Sequence, residues 1–323
     1  MKHKLSITLA LLGLFLLTQV VGIFVLDSYN QPLSTSLNQT NSSQEDIKQL
    51  PFDLDETEES NIPSIILSII LAFLLFFFLM KYDMRFIIKA WFYLVIVLAL
   101  SVSINAFMGN SIIESSILAL MIAIPLATLK IFRPSILIHN GTEVLIYPGI
   151  AAIIAPIINV WGMIILLILI AIYDAWAVWR SGIMQKMAKY QMEEVKIFGG
   201  FLIPHIDKKT KEKLKKLKQK YTKLELQKKL KKRRFKINIA ILGGGDVVFP
   251  IIAMGVFMRS FPEASLFGIS GLIPALFILG GSFIALVHLF LITKKKKAYP
   301  AMPWISTGAI LGMLAWWLLF IVF

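Results

Sequence analysis

Nine apolar runs recur along the chain, at 5–26, 63–80, 86–107, 112–131, 142–159, 161–179, 237–258, 264–292 and 300–323, divided by polar or basic connections. Each lies near the roughly 20 residues that a helix rising 1.5 Å per residue needs to cross a hydrocarbon core. The pattern predicts nine transmembrane helices in an all-α integral membrane protein. The first run follows Met1-Lys2-His3-Lys4; it is long for a signal-peptide apolar region and no clear small-x-small cleavage site follows it, so it reads as a retained helix. The stretch 134–160 is the least regular, because Pro148 and Pro156 interrupt it and Glu143 stands at its edge. One irregular span and a re-entrant segment both remain open there.

Composition supports the pattern. A chain of 323 residues that is 57% hydrophobic, with mean hydropathy +0.76, belongs among multi-pass membrane proteins. Its net charge of +14 would suggest nucleic acid in a soluble protein, but here the basic residues fall in connections and set orientation, so no nucleic-acid partner is expected. Lys81 with Arg85, Lys130 with Arg133, the loop 180–236 and the lysines at 294–297 share one side. The acidic loop 27–62, Met108-Gly109-Asn110 and 259–263 share the other. Basic connections face the cytoplasm, which places the N-terminus inside and the C-terminus outside a membrane taken to be the cell membrane. The chain divides into an N-terminal membrane region (1–179), a basic cytoplasmic loop (180–236) and a C-terminal membrane region (237–323). Within the loop, 208–236 reads either as an amphipathic helix on anionic lipid, with Leu214, Leu217, Tyr221 and Leu224 on one face, or as a disordered topogenic segment. No Cys occurs, and the His residues at 3, 139, 205 and 288 are scattered without an HExxH, so no metal or other cofactor is expected.

Two consecutive apolar runs, 161–179 and 237–258, each hold one acid well inside: Asp174, in Tyr173-Asp174, and Asp246, in Gly243-Gly244-Gly245-Asp246. An intramembrane carboxylate costs about 2.5–3.5 kcal/mol and marks a functional site by default. Topology tests the pair. Asp174 lies roughly 9 Å before the cytoplasmic end of its helix and Asp246 roughly 15 Å into the next, if both segments are helical. Tilt or a locally unwound turn would let them meet. Carboxylates at close range share a proton: one activates water while the other donates to a scissile carbonyl, which is aspartic-protease chemistry. The three glycines admit close approach of backbone, and Pro250 removes the hydrogen bond to the Asp246 carbonyl, predicting a bend where the acid sits. A helix-packing or ion-pathway role for each acid is the plainer alternative.

Tyr173-Asp174 followed by Gly243-Gly244-Gly245-Asp246 resembles the YD and GxGD motifs of the presenilin and signal peptide peptidase family of intramembrane aspartyl proteases. The family's third motif, Pro-Ala-Leu, is approximated by Pro300-Ala301-Met302-Pro303. The resemblance covers the whole chain in number and order of spans. It implies catalytic roles for Asp174 and Asp246, support or substrate contact from Tyr173, Gly243, Gly244, Gly245, Pro250, Pro300, Ala301 and Met302, and transmembrane helices as substrates. The orientation is more like presenilin, whereas the stretch 243–250 is more like signal peptide peptidase. A literal Pro274-Ala275-Leu276 lies about ten residues into a predicted helix entering from outside, away from the acids. Pro274 reads as a helix kink there, with Gly280-Gly281 as packing sites.

Other chemistry fits less well. Gly268-Ile269-Ser270-Gly271 mimics a rhomboid serine-protease motif, but His288 lies on the same predicted helix, roughly 27 Å of rise away. Prepilin peptidases share a GxGD-type motif, which leaves Tyr173-Asp174 and the Pro300 motif unexplained. A cation or proton transporter using the two acids would show inverted repeats, and no matching halves are evident.

Overall fold

The computed structural model describes residues 5–30, 84–108, 112–133, 135–181, 199–205, 238–293 and 299–320, with positions 67, 71, 74, 75, 78, 79, 81 and 82. Eight long helices run through them: α1 (Leu5–Tyr29), α2 (Arg85–Ala106), α3 (Ile112–Phe132), α4 (Ile136–Ile154), α5 (Val160–Trp176), α6 (Gly244–Ser260), α7 (Leu272–Ile292) and α8 (Met302–Phe320). Seven of these segments are long and apolar enough to cross a membrane, α5 when its continuation to Arg180 is included; α6, at 17 residues, is shorter. The predicted span at 63–80 lies largely outside the described residues, and the possible lipid-binding segment 208–236 lies wholly outside them.

The irregular stretch 134–160 is a single span, and it starts earlier than the predicted 142–159. Ser135 caps α4 by accepting the Ile138 N–H at 3.2 Å, and the helix continues through Pro148 to Ile154. Pro156 then falls in a short 3-10 turn, and Asn159 caps α5 by accepting the Gly162 N–H at 2.7 Å. Glu143 is therefore inside the span, not at its edge. Lys130, counted as a loop charge in the sequence, is buried at the end of α3. The long side chain turns inward to meet Glu143.

The run 237–258 also departs from prediction. Its first part is not helix: Asn238–Gly243 forms strand β2, paired antiparallel with strand β1 (Gly200–His205) in the register Gly200↔Gly243 and Leu202↔Ile241. Continuous apolar sequence gives strand and buried helix the same signature, so the boundary was invisible to periodicity. The backbone opening expected around Pro250 lies instead before Asp246, in β2, and α6 continues through Pro250 as helix. Predicted span 264–292 likewise begins late, at Leu272. Pro274 occupies the first turn of α7, where its missing N–H costs nothing, so it is not a kink.

Helix α6 is the centre of the bundle. Ten of its seventeen residues are buried, Val247 and all of 250–258, so every side of the helix is covered, and it touches α1, α4, α5, α7 and α8. A helix apolar all round is stable only when surrounded. Helices α7 and α8 make the most intimate pair. A Cβ added at Gly281 would collide with the Gly308 carbonyl, and one at Gly308 with that of Gly281. Small residues let the two backbones touch where lipid offers no hydrophobic drive to association. Gly280, by contrast, faces open space.

Candidate active site

Asp246 is the third residue of α6. Its carboxylate folds back to accept the main-chain N–H of Gly243, the N-cap, which satisfies one of the donors a helix start leaves unpaired. A Cβ at Gly243 would sit 3.0 Å from Asp246 Oδ2, so the fold-back is tight against any larger residue there. Gly244 faces Tyr147 of α4, whose hydroxyl would lie 2.8 Å from an added Cβ. Gly245 is less constrained, with only the Phe249 ring near.

Asp174 is buried near the end of α5, just before the helix widens into a π-turn at Ala177–Ser181. Its Oδ2 accepts the main-chain N–H of Met302 at 3.1 Å, and the N–H of Ala301 also points to it. These are the first donors of α8. Pro300 and Pro303 flank them without N–H groups, so the motif directs the Ala301 and Met302 amides at one carboxylate. The contact is made by backbone, which accounts for Met standing where the family pattern has Leu. Tyr173 turns outward, 40% exposed, against Trp176. Pro250 is buried within α6.

The two acids come together. Helix α5 packs against α6, and the Asp174 and Asp246 carboxylates lie close enough for their charges to interact. Asp174 is buried and Asp246 is partly buried. A mostly apolar groove of about 910 Å³ runs between α7 and α8, lined by residues including Trp179, Gly280, His288, Trp304 and Gly308 but by neither acid. Pro303 and Trp304 lead into it directly from Met302.

Residues 14–322 match the family described as signal-peptide peptidase, presenilin aspartyl protease. The chain belongs to that family. Two solved structures, each of a presenilin family intramembrane aspartate protease, one in space group C222 and one in P2, share its fold. Each is 18% identical; the matches cover 95% of this chain and 95% and 96% of the solved chains, with TM-scores of 0.54 and 0.56 respectively. No curated protein matches the sequence. A multi-pass membrane protein of the aspartyl protease family thus carries Asp174 and Asp246 within electrostatic reach of each other.

The rhomboid-like motif does not assemble into a site. Ser270 lies in the turn before α7 and His288 near the helix's other end, its ring tilted against that of Trp304 with centroids 5.1 Å apart. They were expected on one helix; only His288 is on it, and the two remain far apart.

Several residues around the acids escaped sequence reasoning. Gln19, fully buried on α1, donates through Nε2 to the Val247 carbonyl at 3.0 Å, one residue past Asp246. On α4, His139 Nε2 lies 2.8 Å from the Gly200 carbonyl, and Asn140 holds Leu202 at two points: its Oδ1 accepts the Leu202 N–H at 3.0 Å and its Nδ2 donates to the Leu202 carbonyl at 2.9 Å. For Gln19 the available signal is a polar side chain within an apolar run, the rule that singles out the two acids; His139 and Asn140 precede the predicted run 142–159 and give no such signal.

Proposed function

We propose that this protein is an intramembrane aspartic endopeptidase that hydrolyses peptide bonds within or beside transmembrane helices, with Asp174 and Asp246 as its catalytic dyad. One carboxylate draws a proton from water as the other, protonated, donates to the scissile carbonyl; two carboxylates with interacting charges are suited to hold one proton between them. The observation that carries this reading is that Asp174 lies within electrostatic reach of Asp246 at the start of α6 and is held by the Ala301 and Met302 amides.

A helical substrate hides its carbonyls in hydrogen bonds and must unwind before attack. We infer that the unwound segment adds to β2 as a further strand. In antiparallel pairing, successive residues turn their N–H and C=O groups alternately toward and away from the partner. Gly200, Leu202 and Pro204 face out from β1, and His139 and Asn140 already occupy that edge. Ile239, Ile241 and Gly243 face out from β2, on the edge that leads straight into Asp246. Strand addition there would deliver backbone to the acids.

The N-terminus is assigned to the cytoplasm and the C-terminus to the outside of the cell membrane, from the distribution of basic connections. The decisive experiment is cleavage of a reporter transmembrane segment by the purified, detergent-solubilised chain. Wild type should cut it, and Asp174→Ala and Asp246→Ala should each leave it whole. An intact reporter with wild type, accompanied by ion flux that the acids control, would overturn the reading in favour of a transporter.

A further inference from the structure

The buried ion pair of Lys130 and Glu143 has no part in the chemistry above. Their side chains are 4% and 2% exposed and meet at 2.8 Å. Lys130 Nζ also donates to Thr142 Oγ1 at 3.2 Å and lies 3.4 Å from His139 Nδ1. Apolar residues of similar volume commonly hold helices together as well as such a pair or better, so packing of α3 on α4 does not account for it. Its surroundings do. With Nδ1 facing an ammonium group, the His139 ring proton sits on Nε2, and that N–H donates to the Gly200 carbonyl of β1. Asn140 grips Leu202, two residues further along the strand. One turn beyond Glu143 on the same face, Tyr147 sets its ring edge-on to Phe201 of β1 and its hydroxyl against Gly244. A single face of α4 therefore touches β1 at three successive residues and the chain two residues before Asp246.

We propose that Lys130, His139, Asn140 and Glu143 are positioning residues for Asp246: the ion pair fixes the polar face of α4, which grips β1 and, through its pairing with β2, sets where the chain enters α6. The inference rests on the proteolytic reading for its effect on catalysis, but not for its effect on the sheet. A misplaced acid lowers turnover more than substrate affinity.

The test uses the purified full chain and two variants. Lys130→Met/Glu143→Leu removes both charges together and leaves neither orphaned; Asn140→Ala removes the acceptor of the Leu202 amide. Both should unfold near the wild-type temperature. Amide hydrogen exchange across 200–205 should accelerate at least about tenfold, and kcat on a transmembrane reporter should fall about ten- to a hundredfold with KM nearly unchanged. Unchanged exchange in β1 for Asn140→Ala, or unchanged kcat in a folded variant whose strand exchanges faster, would overturn the proposal. If wild type cleaves nothing, the proteolytic reading fails by itself, and the exchange data still decide whether α4 holds the sheet. Should the double variant not fold, Asn140→Ala carries the same readouts alone.

Discussion

The main-chain N–H of Met302 donates to Asp174 Oδ2 at 3.1 Å, across 128 residues of sequence. The third family motif is thus a helix N-terminus aimed at a carboxylate, and its side chains matter less than its amides. Met302→Leu and Met302→Ala should both retain most activity, the second losing only packing. Met302→Pro keeps a residue suited to the first turn but deletes the N–H. A hydrogen bond to a charged group contributes about 1.5–3 kcal/mol, so kcat/KM should drop by roughly ten- to a hundredfold. Cleavage assays on the three variants check this.

Strand β2 offers a second test, because its residues alternate between two edges. Ile241 faces away from β1 and Leu242 toward it. Ile241→Pro should leave the β1–β2 ladder intact yet block addition of a substrate strand, abolishing cleavage with little change in unfolding temperature. Leu242→Pro should instead destabilise the sheet itself. Equal activity of Ile241→Pro and wild type would rule out strand addition on this edge.

How much of this was legible beforehand depends on the kind of signal. Apolar runs announced the helices because length alone identifies a span, and the acids stood out because charge is rare there. Strand β2 was hidden because Ile239, Ala240, Ile241 and Leu242 read on into α6 without a break. Its partner β1 lies beyond a long basic loop, and no short-range turn signal links them. Lys130 and Glu143 sat near run ends and were counted as boundary charges. Only tertiary structure shows that they pair inward.

At the α4–α6 contact, Gly244→Ala would bring a methyl group to 2.8 Å from the Tyr147 hydroxyl and 3.1 Å from its ring. Overpacking of this kind costs about 1–3 kcal/mol. Thermal unfolding should show that loss, and adding Tyr147→Phe should recover part of it by removing the hydroxyl, although the ring contact persists.

Helices α7 and α8 touch backbone to backbone at Gly281 and Gly308. Gly308→Leu should force them apart, displace the start of α8 from Asp174, and reduce both stability and cleavage. Gly308→Ala should do the same to a smaller degree. Unfolding temperature and reporter cleavage should decline together across the series.

Gln19 makes one buried hydrogen bond to Val247, while its Oε1 has no partner among the described residues. Intramembrane hydrogen bonds average about 0.6 kcal/mol, and the unpaired oxygen offsets part of that. Gln19→Leu should therefore change stability by less than about 1 kcal/mol, measured by thermal unfolding.

The dyad itself is tested most directly by comparing Asp174→Asn, Asp246→Asn and the double variant in turnover of one transmembrane reporter. Groups that act as a unit are not additive: each single variant should fall by about 10²–10⁴-fold, and the double should fall no further. Substantial turnover in either single variant, or losses that multiply in the double, would contradict a catalytic pair at 174 and 246.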